Sequence, residues 1–201
     1  MTGARIPDVP PDDTLLEDYR AGNRAALAVL FERYRIALYA YISRMTEGRG
    51  DADEIFQETW FRAIRHVDGF RAGHFRAWLY RICHNLMIDR GREGKKWSSL
   101  SQPLEGTEGE TAQDRLPAAG PDPAALAAGH DLGRVIDTLL AGLPEAQREV
   151  FLLRTKGDLP FREIARLQGV SINTALARMQ YAVEKLRTGL QSENPFEENN
   201  P

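Results

Sequence analysis

Between Val67 and Arg92, rings and guanidinium groups alternate: Phe70, Arg71, His74, Phe75, Arg76, Trp78, Arg81, Asn85, Arg90 and Arg92. Aromatic rings stack on unpaired bases while cations meet phosphates, so this mixture suits single-stranded nucleic acid. Taken singly, each of Phe70, Phe75 and Trp78 reads as well as core. A second group, Asp53, Glu54, Gln57 and Glu58, opens an apolar-periodic stretch. Acidic residues there complement the positive end of a helix. That reading is favoured over an acidic docking patch for a basic partner on the physics of the residues alone. A third group, Asn173, Thr174, Arg178, Tyr181 and Lys185, shares one side of the stretch that follows Ser171.

Other chemistries lack their residues. Cys83-His84 invites a metal, but there is no second cysteine, and His66, His74 and His130 show no ligand spacing. No Gly-rich phosphate loop, nucleophile elbow or pair of catalytic carboxylates stands out. The expectation is no metal, no cofactor and no enzymatic reaction.

The elements that must position these groups are helical. Residues 160–168 form a short helix with Phe161, Ile164, Ala165 and Leu167 on one side. Gly169 suits the left-handed residue that ends helices, and Ser171 can cap the next one. Ile172, Leu176, Met179, Val183 and Leu186 then recur at steps of three and four, which predicts a core-facing stripe. Two helices with such a turn make a helix-turn-helix, whose second member can enter a DNA major groove. The alternative is a helical hairpin whose polar side meets only water.

Upstream, residues 14–46 read as two helices broken at Ala21-Gly22-Asn23, with Leu30, Tyr34, Leu38, Tyr41 and Ile42 among the apolar positions. Glu47 to Gly50 is a turn. Asp51 can cap a helix whose apolar side is Ile55, Phe56, Thr59, Trp60, Ala63 and Ile64. A loop over 67–75 precedes another helix, with Leu79, Ile82, Leu86 and Ile88 placed inward. Residues 98–129, rich in Gly, Pro, Ser, Glu and Ala, read as a flexible acidic linker. Beyond it, Leu132 to Leu140 and the stretch from Leu143-Pro144-Glu145 form two more helices. The fold expected is all-α, with two small helical domains over 14–97 and 130–190. Residues 1–13 and 191–201 are expected to be disordered.

The chain has 201 residues and a net charge of −3. That sum hides an uneven distribution. Nine cations against three anions from Trp60 to Trp97 leave +6, whereas one cation against five anions from Ser98 to Gly129 leaves −4. The basic stretch is an electrostatic footprint for nucleic acid. No apolar run of membrane-spanning length and no apolar leader segment are present, so a cytoplasmic protein without membrane insertion is expected. The lone cysteine fits a reducing compartment.

These motifs resemble a known family. Residues 143–187, LPEAQREVFLLRTKGDLPFREIARLQGVSINTALARMQYAVEKLR, resemble region four of bacterial sigma factors. DADEIFQETWFRAIRHVDGF and FRAWLYRICHNLMIDRGRE resemble region two. Only these two domains and a linker are present, the layout of extracytoplasmic-function (group four) sigma factors of the sigma-70 family. The resemblance implies a promoter-specificity subunit of RNA polymerase. It implies that Asp53, Glu54, Gln57 and Glu58 dock on the β′ clamp helices, which reverses the preference for dipole complementation; contact with β is a further expectation. Phe70, Arg71, His74 and Phe75 would surround a flipped −10 base, with Arg76, Trp78, Arg81, Asn85, Arg90 and Arg92 along the melted strand. Flipping costs a few kcal/mol, which stacking and pocket contacts must offset.

The −35 duplex would be read by Arg162, Ser171, Asn173, Thr174, Ala177, Arg178 and Tyr181. An anti-sigma factor is a further implied partner. The chain departs from the family where Ala175-Leu176 replace a valine and a cation, Ala177 a serine, and Tyr181 a basic residue. Pro160 stands where a capping Ser or Thr is usual, with Glu163 retained. The rival from another class is a helix-turn-helix regulator that binds duplex DNA without joining polymerase. It has no need of the single-strand face.

Overall fold

The computed structural model describes residues 10–46, 50–70, 74–98 and 133–193. The expected linker, and most of the expected arm and tail, lie outside the described residues. Every regular element among those described is helical. In chain order they are α1 (Asp12–Arg20), α2 (Arg24–Thr46), α3 (Ala52–His66), a 3-10 turn (Val67–Gly69), α4 (Phe75–Ser98), α5 (133–141), α6 (Glu145–Thr155), α7 (Phe161–Gln168) and α8 (Ile172–Glu193). Helix α1 begins at Asp12, inside the stretch expected to be disordered, and α8 runs past the expected start of the tail.

The first four helices pack through the predicted three-and-four spacing. Leu15 and Leu16 of α1 meet a row on α2 made by Ala26, Leu30, Tyr34, Leu38, Tyr41 and Ile42, all buried. Ile55, Trp60 and Ala63 of α3 and Leu79, Tyr80 and Cys83 of α4 complete this layer. Asp12 fixes α1 to α2, because its carboxylate accepts bonds from Arg33 and the Tyr34 hydroxyl. Burial and that carboxylate push the Tyr34 phenol up to about 12. Ile64 and Ile88, expected inward, are exposed. Asp51 stands at the N-cap of α3, yet its side chain makes no cap bond there.

In the second half, Pro144 occupies the N-cap of α6 and Pro160 that of α7, positions where a missing N–H costs little. Gly169 ends α7 at φ 64°, the left-handed conformation its lack of a Cβ permits. The Ser171 hydroxyl accepts a 3.0 Å bond from the Thr174 backbone N–H and starts α8. The core stripe of α8 differs from the predicted one. Ala175, Ala182 and Leu186 are buried, whereas Ile172, Leu176 and Val183 are exposed. The apolar side of α8 is wider than its contact with α6 and α7, and the small residues take the contact because they let the helices approach.

The two halves touch, and their buried residues form one contiguous cluster. Helix α2 lies against α6, and α4 against α7. Gly157 lies at this contact. A Cβ there would lie 2.7 Å from the Leu153 carbonyl and 3.1 Å from the Tyr80 ring.

Candidate polymerase and promoter interface

The acidic group occupies the first half of α3. A 100° step per residue places Asp53, Glu54, Gln57 and Glu58 within one side of the helix. Asp53, Glu54 and Gln57 are exposed and Glu58 half-buried. Each carboxylate has a local partner. Asp53 accepts a 2.9 Å bond from the Tyr39 hydroxyl, and Glu58 pairs with Arg62 one turn on at 2.6 Å. Glu54 pairs with Arg90 of α4 at 2.6 Å, and that guanidinium holds its carboxyl below the usual range. Exposed pairs of this kind contribute little to stability and exchange readily for a stronger partner.

The aromatic and cationic group divides by burial. Phe75 is 1% exposed, so the structure places this ring in the core rather than free beside a base. It supports Phe70 and Trp78, which are half-buried; centroid distances are 6.1 Å from Phe75 to Phe70 and 5.6 Å to Trp78. Phe70 and Trp78 lie 5.1 Å apart. Arg20 donates to the Phe70 carbonyl and ties the loop back to α1. His74, Arg81 and Asn85 are exposed. Arg71 and the side chain of Arg92 lie outside the described residues.

Several of the cations are engaged within the chain. Arg76 lies over the Tyr34 ring at 5.7 Å and donates to the Asp158 carboxylate at 2.5 Å. Arg81 stands 3.9 Å from Glu163, and Arg90 is held by Glu54. A polar cavity of about 290 Å³ opens beside Arg76, lined also by Asp12, Asp13, Arg33, Tyr34, His74 and Phe75.

On the helix-turn-helix, Arg162, Ser171, Asn173, Thr174 and Tyr181 are exposed; Tyr181 retains 66% of its surface. Ala177 and Arg178 are half-buried. Arg178 donates to Gln168 Oε1 at 2.6 Å, and Gln168 Nε2 in turn donates to Glu149 at 2.7 Å. Lys185, placed on the polar side by the sequence, donates to the Gly142 carbonyl at 2.9 Å.

Glu149 is the residue that sequence reasoning missed. It is 6% exposed, and its Oε1 accepts a 2.9 Å bond from the Tyr41 hydroxyl and stands 2.6 Å from His84 Nδ1. Burial pushes its carboxyl up, but the bonds from His84, Gln168 and Tyr41 outweigh that and hold it below the ordinary value. Tyr41 and His84 lie 108 and 65 residues away along the chain, so no local pattern signals the site. Among the described residues no His, Cys, Asp or Glu cluster could hold a metal. No described helix is long and apolar enough to cross a membrane.

Comparison with known proteins gives both halves a relation. Residues 30–97 match Sigma-70 region 2, and residues 133–186 match Sigma-70 region 4. The chain is 30% identical over 177 residues to the ECF RNA polymerase sigma factor SigW of Bacillus subtilis, covering 88% of this chain and 95% of that one. It is 27% identical over 185 residues to the ECF RNA polymerase sigma-E factor of Salmonella typhimurium, covering 90% and 94%. Two solved structures share the architecture. CnrH in complex with the cytosolic domain of CnrY superposes with TM-score 0.62 at 26% identity, over 91% of this chain and 99% of that one. The sigma factor RpoE of Bartonella quintana, bound to the anti-sigma factor NepR, shares the fold with TM-score 0.64 at 20% identity, over 84% and 98%.

Proposed function

The chain belongs to the extracytoplasmic-function sigma factors of the sigma-70 family, and we infer that it gives RNA polymerase its promoter choice. The observation that carries this is the match of regions two and four, in that order, within one chain covering 95% of a sigma factor relative. It binds core polymerase, recognises −35 and −10 elements and helps open the duplex. Polymerase supplies the chemistry, and this chain supplies recognition in the cytoplasm. The duplex-binding regulator is the weaker account, because it leaves the region-two match without a role.

The proposed assignments follow the geometry. The acidic side of α3 docks on a basic surface of the polymerase clamp, exchanging its exposed internal pairs for intermolecular ones. Phe70 and Trp78 form the stacking surface for an unpaired −10 strand, with Phe75 beneath them as support. His74 lies at the edge of the polar cavity, where a flipped base could enter. Arg76, Arg81, Asn85 and Arg90 lie along α4 for the phosphates, and Arg71 and Arg92 are assigned to the same strand. Helix α8 presents Asn173, Thr174, Ala177, Arg178 and Tyr181 to the −35 major groove, while Arg162 and the capping Ser171 approach its backbone. An anti-sigma factor is a proposed further partner, as both structural neighbours named above were solved in such complexes or with a cytosolic partner domain.

The test is a binding titration against bacterial core RNA polymerase, with Glu54→Lys/Glu58→Lys as control. Tight binding that the control loses supports both the function and the docking side. Binding indifferent to the control moves the docking surface elsewhere. No binding by the folded protein leaves the duplex regulator as the better account.

A further inference from the structure

Four of the nine large apolar side chains exposed among the described residues lie on α8, more than on any other described helix. Two of them, Ile172 and Leu176, retain 45% and 39% of their surface and stand one turn apart at the start of the helix. Single exposed apolar residues are ordinary, but this pair forms a continuous strip. A 100° step places Ile172, Asn173, Leu176 and Ala177 within a sector of about 140°. The buried Ala175 and Ala182 lie outside it. Side chains lean toward a helix's N-terminus, and the Ser171 cap fixes where that end begins. The strip thus leads the helix at the end that, in a helix-turn-helix, meets base edges. Charge there is sparse. From Ser171 to Glu184 the one cation is Arg178, and its guanidinium donates to Gln168 at 2.6 Å. This end of α8 therefore offers a base apolar carbon and an amide rather than a row of cations.

We propose that α8 reads thymines in the −35 major groove through their 5-methyl groups, which Ile172 and Leu176 cover, with Asn173 beside them placed for an adenine edge. The thymine methyl is the one apolar group that a base pair presents in the major groove, and an aliphatic side chain recognises it by excluding water from it. An asparagine amide matches the donor and acceptor that adenine shows in the same groove. Ile172 and Leu176 are about 6 Å apart along the axis, close to two base steps of roughly 3.4 Å, so one strip can cover methyls on neighbouring pairs. An arginine at either position would instead favour the paired acceptors of guanine. The −35 element of this chain is accordingly defined at those positions by A·T pairs and their methyl groups. Val183 is exposed on the same strip, but it lies two turns beyond Leu176 and away from the base-reading end. This inference rests on the assignment of α8 to the −35 duplex.

Methyl removal is the direct test. Holoenzyme assembled from the full chain and bacterial core polymerase first selects its −35 element from a duplex library randomised across the promoter. Each thymine of the selected element, on either strand, is then replaced by deoxyuridine, which lacks only the methyl group. Affinity of the parent holoenzyme is expected to fall about fourfold at one or more of these positions, the equivalent of one buried carbon group. Ile172→Ala/Leu176→Ala, at two exposed positions, should abolish that discrimination while still binding core polymerase, and Val183→Ala should retain it. A selected element indifferent to every replacement overturns the proposal and leaves the −35 assignment standing. A methyl effect that survives in Ile172→Ala/Leu176→Ala also overturns it, since other residues would then make the contact. Weaker core binding by that variant with the methyl effect intact would assign the strip to a polymerase surface, against the proposal. Selection of no −35 sequence at all would remove the assignment of α8 to the duplex, and this inference with it.

Discussion

Trp78 and Arg178 each have one face engaged within the protein and one task assigned outside it. Trp78 packs on Phe70 and Phe75 but stays half-buried. Truncation to alanine would leave a void as well as remove a stacking face, so Trp78→Leu is the cleaner change. Trp78→Leu is expected to bind core polymerase like the parent and to reduce promoter opening, read as permanganate reactivity of unpaired thymines. Equal opening would return Trp78 to the core. Arg178 is held by Gln168, which pre-orders a long side chain before it meets DNA. Arg178→Ala is expected to weaken binding to a −35 duplex by about 1–3 kcal/mol and to relax preference at the base it reads. A uniform loss across all sequences would instead mark a phosphate contact.

Helix α8 shows how far periodicity reaches. The steps of three and four correctly place Ile172, Leu176, Met179, Val183 and Leu186 on one side of a helix. They do not say which part of that side a neighbour covers. The covered line runs through Ala175 and Ala182, which hydrophobicity ranks below the isoleucine and valine beside them. Helix existence, the Gly169 break and the Ser171 cap were legible because each rests on local backbone chemistry. The same is true of the break between α1 and α2. The packing line was not, because it depends on how closely α6 and α7 approach. Exchanging two neighbours tests this. Ala182→Leu is expected to destabilise the protein by about 1–3 kcal/mol through overpacking. Val183→Ala is expected to change stability by no more than about 0.5 kcal/mol, its side chain being exposed rather than packed in the core. Urea unfolding of both variants gives the comparison, and the reverse order would restore the stripe read from the sequence.

At the scale of the whole molecule, the sites legible in sequence are those whose members are neighbours along a helix, such as the acidic side of α3. The Glu149 contact was illegible because it is made by folding one half onto the other. Its chemistry gives this contact a pH dependence with a definite sign. Burial raises the Glu149 carboxyl, but the bonds from His84, Gln168 and Tyr41 bring it below its ordinary value of 4.5. Cys83, which also faces this cluster, is pushed up to about 12 and stays neutral. Tyr41 is raised well above its ordinary value by burial and by Glu149, so its hydroxyl remains a donor throughout the acid range. A carboxyl whose folded value lies below its unfolded value binds protons less readily in the folded state. Its contribution is fully present above the ordinary value and is lost as pH falls through the lowered one. The stability difference between the parent chain and Glu149→Gln should thus shrink as pH falls below about 4.5. Urea titrations of both proteins at each pH measure it. A difference that persists undiminished to about pH 3 would mean the carboxylate charge contributes nothing there, and that the neutral bonds to Tyr41 and Gln168 carry the contact alone.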